Sequence, residues 1–534
     1  MDHWSGYPLP GQRAEALHGE RVVRCFVERP RNLQAMFDAA LSRAPQATAL
    51  VCEGQRWSYA QCDAIAQRLA TGLAARGVAC GERVVMFIDN RPEFVFVLLA
   101  LLRLGAIAVP VGVREQRPGL AYIARQCGAI GIVADAALAE RLPTGAEAPA
   151  FALRVAIGGA AGCVAYDELL AHDQPAPPAA DPAETDVAVI LYTSGTTGNP
   201  KGAMLTHLNI AHSVLHFQGC MKLGAGDVSA LAVPASHVTG LVAIILTMIH
   251  VGGATLVVPA FKAESFIALM QRERVTHTLM VPAMYNLCLL QPSFARADLI
   301  AWRVGGYGGA PMPVSTIDAL ADALPGLTLL NCYGATETTS PATMMPMGRT
   351  RAHADSVGVA LPTAEVRAMD DAGRELPPCA TGELWIAGPM VVPGYWANPE
   401  ATAASFTAGW WHSGDLGAVD ADGYVRVFDR KKDMLNRGGY KIYSVEVENV
   451  LMTWPGMVEA AVVGRPCPVL GERVHAFVFA GGAHGDDAAL RDFCAQRLAD
   501  YKVPETFTWS DSALPRNANG KLMKRTLRER LPPA

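Results

Sequence analysis

The stretch that decides the fold is YTSGTTGNPKG, from Tyr192 to Gly202. It combines three glycines and four serine or threonine hydroxyls with one lysine, groups that cannot fill an apolar core. The apolar run VAVILY (187–192) precedes it, and the moderately amphipathic stretch AMLTHLNIAHSVLHF follows it. That order predicts a strand, a glycine-rich loop and a helix, which is the usual setting for backbone groups that hold phosphate.

Two common phosphate-binding loops do not match this stretch. A Walker loop needs a lysine that opens the helix and a hydroxyl directly after it, but Pro200 precedes Lys201 and Gly202 follows it. A dinucleotide loop needs G-x-G-x-x-G, which GTTG does not supply. The stretch therefore indicates another nucleotide chemistry, with a flexible surface loop as the simple alternative.

Composition narrows the class of protein. The chain has 534 residues, 51% of them hydrophobic and 18% charged, which predicts several large cores and no disordered character. A net charge of −5 argues against a nucleic-acid partner. The twelve cysteines are scattered without a metal-binding spacing, and the amino terminus has no secretory pattern. We therefore expect a cytoplasmic protein whose cysteines form neither disulfides nor a zinc site.

One segment is long enough to span a membrane. Residues 238–261 contain no Asp, Glu, Lys or Arg. Gly252 and Gly253 divide the segment into a helix-length and a strand-length piece. A buried helix followed by a buried strand explains it better than an integral membrane segment.

The pattern along the chain predicts an α/β protein. Helix-like and strand-like stretches alternate through ERVVMFIDN, RPEFVFVLLALLRLG and AIAVPVGV, which is typical of parallel sheets covered by helices. Beyond Gly358 short strands and turns predict a β-rich subdomain. A charge run then leads into about a hundred residues of mixed pattern, a size suited to a small α+β domain. We predict an N-terminal domain over 1–430 and a C-terminal domain over 431–534, with a hinge near Lys432.

Five motifs occur in order: YTSGTTGNPKG, NCYGATETTS, WHSGDL, DRKKDMLNRGG and LPRNANGKLMKR. With this set the chain resembles the acyl- and aryl-CoA synthetases of the adenylate-forming superfamily, from about Leu33 to the C-terminus. The resemblance implies a large N-terminal domain of stacked α/β sheets with a β-subdomain, and a small C-terminal lid. It also implies ATP, Mg²⁺ and the co-substrate coenzyme A.

The resemblance implies a role for each motif. Ser194, Thr196, Thr197 and Lys201 would be the main donors to the β- and γ-phosphates, Tyr333 would lie against adenine, and Asp415 would accept the ribose hydroxyls with help from Arg430. The complete set expected to bind nucleotide or coenzyme A is Thr193, Ser194, Gly195, Thr196, Thr197, Gly198, Lys201, Gly309, Ala310, Tyr333, Gly334, Asp415, Arg430, Lys432, Gly438 and Gly439. Gly438 and Gly439 would leave room for a pantetheine arm.

The same resemblance implies the catalytic residues. Lys521 would stabilise the adenylation transition state, Thr336 would meet the α-phosphate, and Glu337 would hold Mg²⁺. Pivoting at Lys432 would swap Lys521 for the face that carries Gly438 and Gly439. Tyr440 and Lys441 stand where many relatives carry Glu-Asn, and Asp429 replaces a common glycine, which leaves the contacts to coenzyme A open.

The candidate acid pocket draws on HVTGL, MVPAMY and VGGYGGAPMP. The residues expected to line it are His237, Val238, Met280, Met284, Tyr307 and Gly308. His237 matches a gate residue of acyl- and aryl-CoA ligases, and a core histidine is the alternative. Apolar side chains predict a fatty or aromatic monocarboxylate. Because Ala235-Ser236-His237 offers no carboxylate, a buried ammonium would be unpaired, which disfavours α-amino acids.

The sequence therefore predicts an acid–CoA ligase that works through an acyl-adenylate. One alternative is an enzyme that passes the acyl group to a carrier protein. Another is a non-catalytic protein with a decayed ligase fold, although Lys521, Glu337 and Asp415 are all retained. The oligomeric state stays open between a monomer and a homodimer.

Overall fold

The computed structural model describes residues 3–17, 21–148, 150–171, 174–193, 199–516 and 522–531. The chain divides into two compact units. The first comprises Met1–Val366, Ile386–His412 and Asp422–Val425, and the second comprises Arg367–Trp385, Ser413–Ala421 and Arg426–Ala534.

The described residues form twenty-eight strands, most of them short. In chain order they are β1 (Gln12–Leu17), β2 (Arg21–Phe26), β3 (Thr48–Cys52), β4 (Gln55–Ser58), β5 (Arg83–Phe87), β6 (Ile107–Pro110), β7 (Gly131–Asp135), β8 (Leu153–Ile157), β9 (Val164–Ala165), β10 (Val187–Thr193), β11 (Lys201–Thr206), β12 (Val228–Leu231), β13 (Ala254–Val257), β14 (His277–Met280), β15 (Val304–Tyr307), β16 (Thr328–Tyr333), β17 (Thr343–Met344), β18 (Val359–Ala360), β19 (Glu365–Met369), β20 (Gly382–Ala387), β21 (Phe406–Thr407), β22 (Trp410–Val419), β23 (Val425–Arg430), β24 (Leu435–Arg437), β25 (Tyr440–Ile442), β26 (Glu459–Cys467), β27 (Gly471–Phe479) and β28 (Thr506–Trp509).

Helices connect many of these strands. They are α1 (Leu33–Arg43), α2 (Tyr59–Ala74), α3 (Pro92–Leu104), α4 (Arg117–Cys127), α5 (Tyr166–Leu170), α6 (His207–Met221), α7 (Thr247–Val251), α8 (Ala263–Arg272), α9 (Pro282–Leu289), α10 (Val314–Ala323), α11 (Pro399–Ser405), α12 (Ser444–Leu451), α13 (Asp487–Ala495) and α14 (Lys524–Glu529). A π-helical segment (Thr239–Leu246) runs directly into α7.

Two large sheets dominate the first unit. One has seven strands in the order β11-β10-β6-β5-β7-β8-β9, and the other has nine in the order β18-β17-β16-β15-β14-β12-β13-β3-β4. A five-stranded sheet follows in the order β19-β20-β22-β21 with β23 beside β22. In the second unit, β25-β24-β27-β26 form a sheet with β28 beside β27. The predicted α/β class with a β-rich segment after Gly358 is confirmed.

Side-chain alternation along the strands explains why the two large sheets stack. Val84 and Met86 of β5 join a central apolar cluster, whereas their neighbours Val85 and Phe87 join a second cluster on the opposite face. In the nine-stranded sheet, Leu279 faces the central cluster while the adjacent Met280 belongs to a third one. Both sheets are thus buried on both faces, as expected for strands between layers of helices.

The charge-free segment 238–261 is not a membrane span. It divides into the π-helical segment, α7 and β13, and Gly252 ends α7 in the left-handed conformation. Among the helices of the described residues, none is long and apolar enough to cross a membrane. The prediction of a buried helix followed by a buried strand is confirmed.

The structure corrects the expectation that a helix follows the glycine-rich loop directly. Residues 201–206 form β11, which pairs antiparallel with β10 and places Lys201 opposite Thr193. The helix α6 begins only after Thr206, whose side chain accepts a hydrogen bond from the backbone of Asn209. Ala203 and Leu205 are fully buried in the central cluster, so strand pairing wins over the helical pattern.

Strands β1 and β2 form an N-terminal hairpin within the first unit. Arg29 donates to both carboxylate oxygens of Glu15 and to both of Glu184, at 2.8 to 3.0 Å. The Arg29 guanidinium lowers the pKa of Glu15 from 4.5 to about 2. A carboxylate with a lowered pKa stabilises the folded state above its unfolded pKa and loses that contribution as the pH falls.

We therefore expect Glu15→Gln to lower stability by about 2 kcal/mol at pH 6, an amount that follows from the size of the pKa shift after partial solvent screening. The deficit should shrink as the pH falls from 4.5 to about 2, because the wild-type carboxylate then becomes protonated. Unfolding monitored at several pH values measures it. Glu529→Gln, which removes an exposed pair 3.4 Å long, is the control and should have little effect throughout. A constant deficit for Glu15→Gln across this range would contradict the assignment.

Candidate active site

Glu337 lies in a short helical turn, Thr336–Thr338, that follows the end of β16. Its side chain is buried, yet two hydroxyls reach the same carboxylate oxygen. The Tyr395 hydroxyl donates to Oε1 over 2.9 Å, and Thr193 Oγ1 lies 3.4 Å from the same atom. Burial and the Glu337 charge raise the pKa of Tyr395, so its phenol stays protonated and serves as the donor. A buried carboxylate is thereby partly compensated.

Lys201 contacts the ring of the same tyrosine, Tyr395. Its ammonium stands 5.1 Å from the centre of the Tyr395 ring, a cation–π contact. The backbone of Ala203 pairs with that of Tyr395, and Trp396 donates its N–H to the carbonyl of Gly202. Tyr395 therefore links the lysine and the glutamate that the sequence motifs singled out separately.

The ends of β15 and β16 carry the next candidate residues. These strands run parallel and pair Tyr307 with Asn331, so Gly308, Gly309 and Ala310 follow one strand while Tyr333 and Gly334 end the other or follow it. A Cβ at Gly308 would stand 2.3 Å from the carbonyl oxygen of Cys332, which only glycine allows. Candidate nucleotide ligands thus lie at the carboxyl ends of adjacent parallel strands, the usual ligand position in such sheets.

His237 lies in a turn between β12 and the π-helical segment. Buried Asn90 anchors this turn by donating to the carbonyls of Leu231, Val233 and Val258 and accepting from the Ala235 N–H. The imidazole is half-buried and its Nδ1 lies 3.2 Å from Thr239 Oγ1. This partial exposure does not match the fully buried core histidine that was the alternative to a gate.

The residues expected to line the acid pocket are mainly buried and apolar. Met280 and Tyr307 are opposite each other on paired strands and share the third apolar cluster. Val238 belongs to the central cluster, and half-buried Met284 packs against both clusters. Burial raises the pKa of Tyr307, so its phenol stays neutral. All four side chains, those of Val238, Met280, Met284 and Tyr307, are uncharged.

In the second unit, Asp415 and Arg430 form a direct ion pair. Arg430 Nε lies 2.7 Å from Asp415 Oδ1, and the Asp415 side chain is only 5% exposed while that of Arg430 is 44% exposed. The two residues belong to β22 and β23. Sequence analysis predicted that they act together, and the structure brings them into contact.

Gly438 and Gly439 form the two-residue turn between β24 and β25. Both have positive φ, 59° and 90°, as a two-residue hairpin turn of this hand requires. A Cβ at Gly439 would meet no heavy atom within 4 Å, so the turn itself already explains the pair. Their proposed contact with a pantetheine arm stays a prediction, as does the hinge at exposed Lys432.

Several predicted residues lie outside the described part of the chain. They are Ser194, Gly195, Thr196, Thr197, Gly198 and Lys521. Conversely, sequence reasoning missed Tyr395 and Asn90. Tyr395 stands in VVPGYWANPE, where only the Gly-Tyr pair between prolines hinted at a fixed turn, and Asn90 ends the strand-like ERVVMFIDN.

The donor set bears on which metal could bind. Among the described residues no cluster of three or more His, Cys, Asp or Glu side chains is present. A single carboxylate such as Glu337 suits Mg²⁺, which is commonly held by one or two carboxylates together with substrate phosphates. Both hydroxyls that reach Glu337 in the described residues converge on Oε1, which leaves Oε2 as the oxygen to meet a metal.

Comparison with known proteins identifies the family. Residues 37–396 match the model of the AMP-binding enzymes, and residues 446–521 match the AMP-binding enzyme C-terminal domain. The chain belongs to this family. It is an adenylate-forming enzyme of the acyl- and aryl-CoA synthetase type, so the predicted family, fold class and enzyme class are confirmed.

Individual relatives cover nearly the whole chain. Feruloyl-CoA synthase from Amycolatopsis sp. is 36% identical over 91% of this chain and 96% of its own length. The fatty acid–[acyl-carrier-protein] ligase ScoC of Streptomyces coeruleorubidus is 33% identical over 91% of this chain and 94% of its own length.

Solved structures agree with these sequence matches. The o-succinylbenzoate CoA synthetase MenE of Bacillus subtilis has been solved with its acyl-adenylate intermediate. That structure is 28% identical, has a TM-score of 0.83, and aligns over 94% of this chain and 99% of its own. A second structure of MenE, with ATP and a magnesium ion, is 27% identical, also has a TM-score of 0.83, and aligns over the same shares.

The Asp415–Arg430 pair generates a prediction about nucleotide recognition. If Asp415 accepts the ribose hydroxyls, Asp415→Asn should weaken ATP binding about tenfold, because a neutral amide replaces a charged acceptor. It should barely change the binding of 2′,3′-dideoxy-ATP, which lacks those hydroxyls. Titration calorimetry with both nucleotides measures the difference.

The matched control is Asp420→Asn, because Asp420 also pairs with an arginine, Arg426, at 3.0 Å. This control should leave the preference for ATP over the dideoxy nucleotide intact. Equal losses for both nucleotides in Asp415→Asn would show that Asp415 supports the fold rather than the ribose.

Proposed function

We propose that the protein joins a fatty or aromatic monocarboxylic acid to coenzyme A through an acyl-adenylate. The observation that carries the proposal is the buried Glu337 carboxylate, which accepts from the Tyr395 hydroxyl while the Tyr395 ring contacts Lys201, in a member of the AMP-binding enzymes. These two contacts support a site in which Lys201 would provide a cation and Glu337 would bind a metal. ATP activation of a carboxylate brings two anions together and needs such groups.

The reaction has two half-reactions. In the first, an oxygen of the acid attacks the α-phosphorus of ATP, the bond to the bridging oxygen breaks, and pyrophosphate leaves. In the second, the thiol of coenzyme A attacks the acyl carbon, and AMP leaves together with the oxygen that came from the acid. Thr336 and Lys521 would stabilise charge at the α-phosphate, and Lys201 with the loop residues Thr193–Gly198 would hold the outer phosphates. Bound Mg²⁺ would neutralise phosphate charge beside Glu337.

The acid class follows from the lining of the predicted pocket. Val238, Met280 and Tyr307 are nearly fully buried, and Met284 completes an apolar set that offers no cation to a second carboxylate. Half-buried His237 would stand at the entrance beside Gly308. Related proteins include an enzyme named for ferulate and another named for fatty acids, which supports both acid types.

The proposal also covers the domain organisation, the cellular location and the oligomeric state. We propose a catalytic N-terminal domain over 1–430 and a lid over 431–534 that turns about Lys432 between the half-reactions. That turn would move Lys521 out and bring in the face that carries Gly438 and Gly439, which would leave room for a pantetheine arm. Twelve free cysteines fit a reducing cytoplasm, and a homodimer fits the proposal as well as a monomer does.

The first test offers the protein MgATP, coenzyme A and a pooled panel of fatty, aromatic and α-amino acids. We expect mass spectrometry to show a CoA thioester of one or more fatty or aromatic acids and none of the amino acids, because a buried ammonium would lack a partner. A second reaction replaces coenzyme A with phosphopantetheinylated acyl-carrier protein.

Each outcome selects one function. A CoA thioester supports the proposal. An adenylate that is transferred only to carrier protein supports the alternative, the activity for which the relative ScoC is named. Neither adenylate nor thioester with any acid of the panel would contradict the proposal.

The lid assignment can be tested by separating the half-reactions. Lys521→Ala should lower the rate of adenylate formation at least a hundredfold, because it removes a cation from the developing charge, a loss typical of such groups. The variant should still convert supplied acyl-adenylate to thioester. Quenched-flow measurements of each half-reaction provide the rates.

Arg525→Ala removes an exposed cation from the same basic tail and serves as the matched control, with both rates expected to stay normal. If Lys521→Ala slowed both half-reactions equally, the exchange of Lys521 for another face of the lid would be excluded.

A further inference from the structure

We propose that Tyr395 is a positioning residue for Mg²⁺ and the outer phosphates of ATP. Its hydroxyl holds Oε1 of Glu337 so that Oε2 is presented to the metal, and its ring holds the Lys201 ammonium through a cation–π contact. This inference rests on the proposed function, because it assumes that MgATP binds at Glu337. It assigns a role to a residue outside the motifs that identified the family.

Two contacts of one side chain support the assignment. The hydroxyl donates to Glu337 over 2.9 Å, and the ring centre lies 5.1 Å from the Lys201 ammonium. The Tyr395 side chain is 6% exposed, so both contacts form where water competes little. One phenol thus contacts both the Glu337 carboxylate, through its hydroxyl, and the Lys201 ammonium, through its ring.

The backbone around Tyr395 is fixed from several directions. Its N–H donates to Thr402 Oγ1 over 3.0 Å, and the preceding Gly394 accepts from the Met204 N–H. Gly394 has φ of 158°, and a Cβ there would lie 2.5 Å from Thr402. These bonds hold the backbone of Tyr395 against β11, the strand that starts at Lys201.

The segment before Tyr395 is tied to Glu337 and to the N-terminal hairpin. The Val392 N–H donates to the Glu337 carbonyl over 2.9 Å. Arg21 of β2 donates to the carbonyls of Val391, Val392 and Pro393 at 3.0 to 3.3 Å, and Asn209 donates to those of Pro389 and Val391. So many bonds to consecutive carbonyls fix a segment that has no regular structure of its own.

The geometry divides the carboxylate between two tasks. Oε1 accepts from Tyr395 and lies within 3.4 Å of the Thr193 hydroxyl, while no donor in the described ranges reaches Oε2. An ionised carboxylate has lone pairs for both partners. Removing the phenol hydroxyl should free the carboxylate to rotate, which would weaken binding of the metal complex but not of metal-free nucleotide.

The test compares binding of MgATP with binding of ATP in EDTA by titration calorimetry. Tyr395→Phe keeps the ring under Lys201, so we expect the Kd for MgATP to rise about tenfold and the Kd for metal-free ATP to stay unchanged. Tyr395→Leu also removes the ring, and should weaken the binding of both forms. Melting temperatures recorded on the same samples report folding.

Tyr59→Phe is the matched control. Tyr59 is also buried, and its hydroxyl donates to the carbonyls of Gly253 and Met248 in the same unit. The control should lose stability without changing the ratio of the two Kd values. Thr193→Val provides a second route if Tyr395→Phe folds poorly, because it removes the other hydroxyl near Oε1 and should raise the Kd for MgATP by a smaller factor.

Equal changes in both Kd values for Tyr395→Phe, or no change in either, would overturn the inference while leaving the proposed function standing. A wild-type protein that binds ATP equally well with and without Mg²⁺ would overturn the inference together with the Mg²⁺ role of Glu337.

Discussion

A buried carboxylate needs hydrogen-bond partners, and in this protein Glu337 obtains them from two separate parts of the chain. Thr193 ends a strand of the seven-stranded sheet, and Tyr395 lies on a segment near residue 400. The short turn that carries Glu337 follows a strand of the nine-stranded sheet. This carboxylate thus connects the end of β10 and the turn after β16, which belong to the two large sheets, with the segment that carries Tyr395, whose ring contacts Lys201.

This arrangement explains how an enzyme with an apolar interior handles two anionic substrates. The acid pocket predicted around Met280 and Tyr307 consists of buried apolar groups, which favour the hydrocarbon part of an acid. Lys201 and Glu337 are not members of those apolar clusters, and in the proposed mechanism they would provide the charge. Such a separation would let the electrostatic groups act where charge develops without placing an unpaired ion in the core.

Much of this was predictable from local sequence. The alternation of apolar stretches with glycine-terminated helices predicted stacked α/β layers, and Gly105 does end α3 in the left-handed conformation. Asp415 and Arg430 each stand in a recognisable motif, and the structure brings them into contact, while their role at the ribose stays a prediction. The helix expected directly after the glycine-rich loop was wrong for residues 203–206, since hydrogen bonding to β10 depends on a partner strand that local periodicity does not reveal.

The role of Tyr395 could not be predicted for a similar reason. Its partners, Glu337 and Lys201, lie 58 and 194 positions away along the chain, and nothing in VVPGYWANPE indicates a nearby carboxylate or ammonium. The sequence does not indicate the role of Asn90 either, because its hydrogen bonds go to backbone carbonyls more than 140 residues away along the chain. The identity of the acid depends on the shape of the proposed acid pocket, which residue types alone do not define.

If the acid attacks the α-phosphorus of ATP, one of its oxygens stays on AMP when the thioester forms. An acid labelled with oxygen-18 in both carboxylate positions therefore gives the most direct measurement. With MgATP and coenzyme A present, we expect each AMP formed to carry one labelled oxygen and pyrophosphate to carry none. Label in inorganic phosphate or pyrophosphate, or AMP without label while thioester accumulates, would contradict this mechanism.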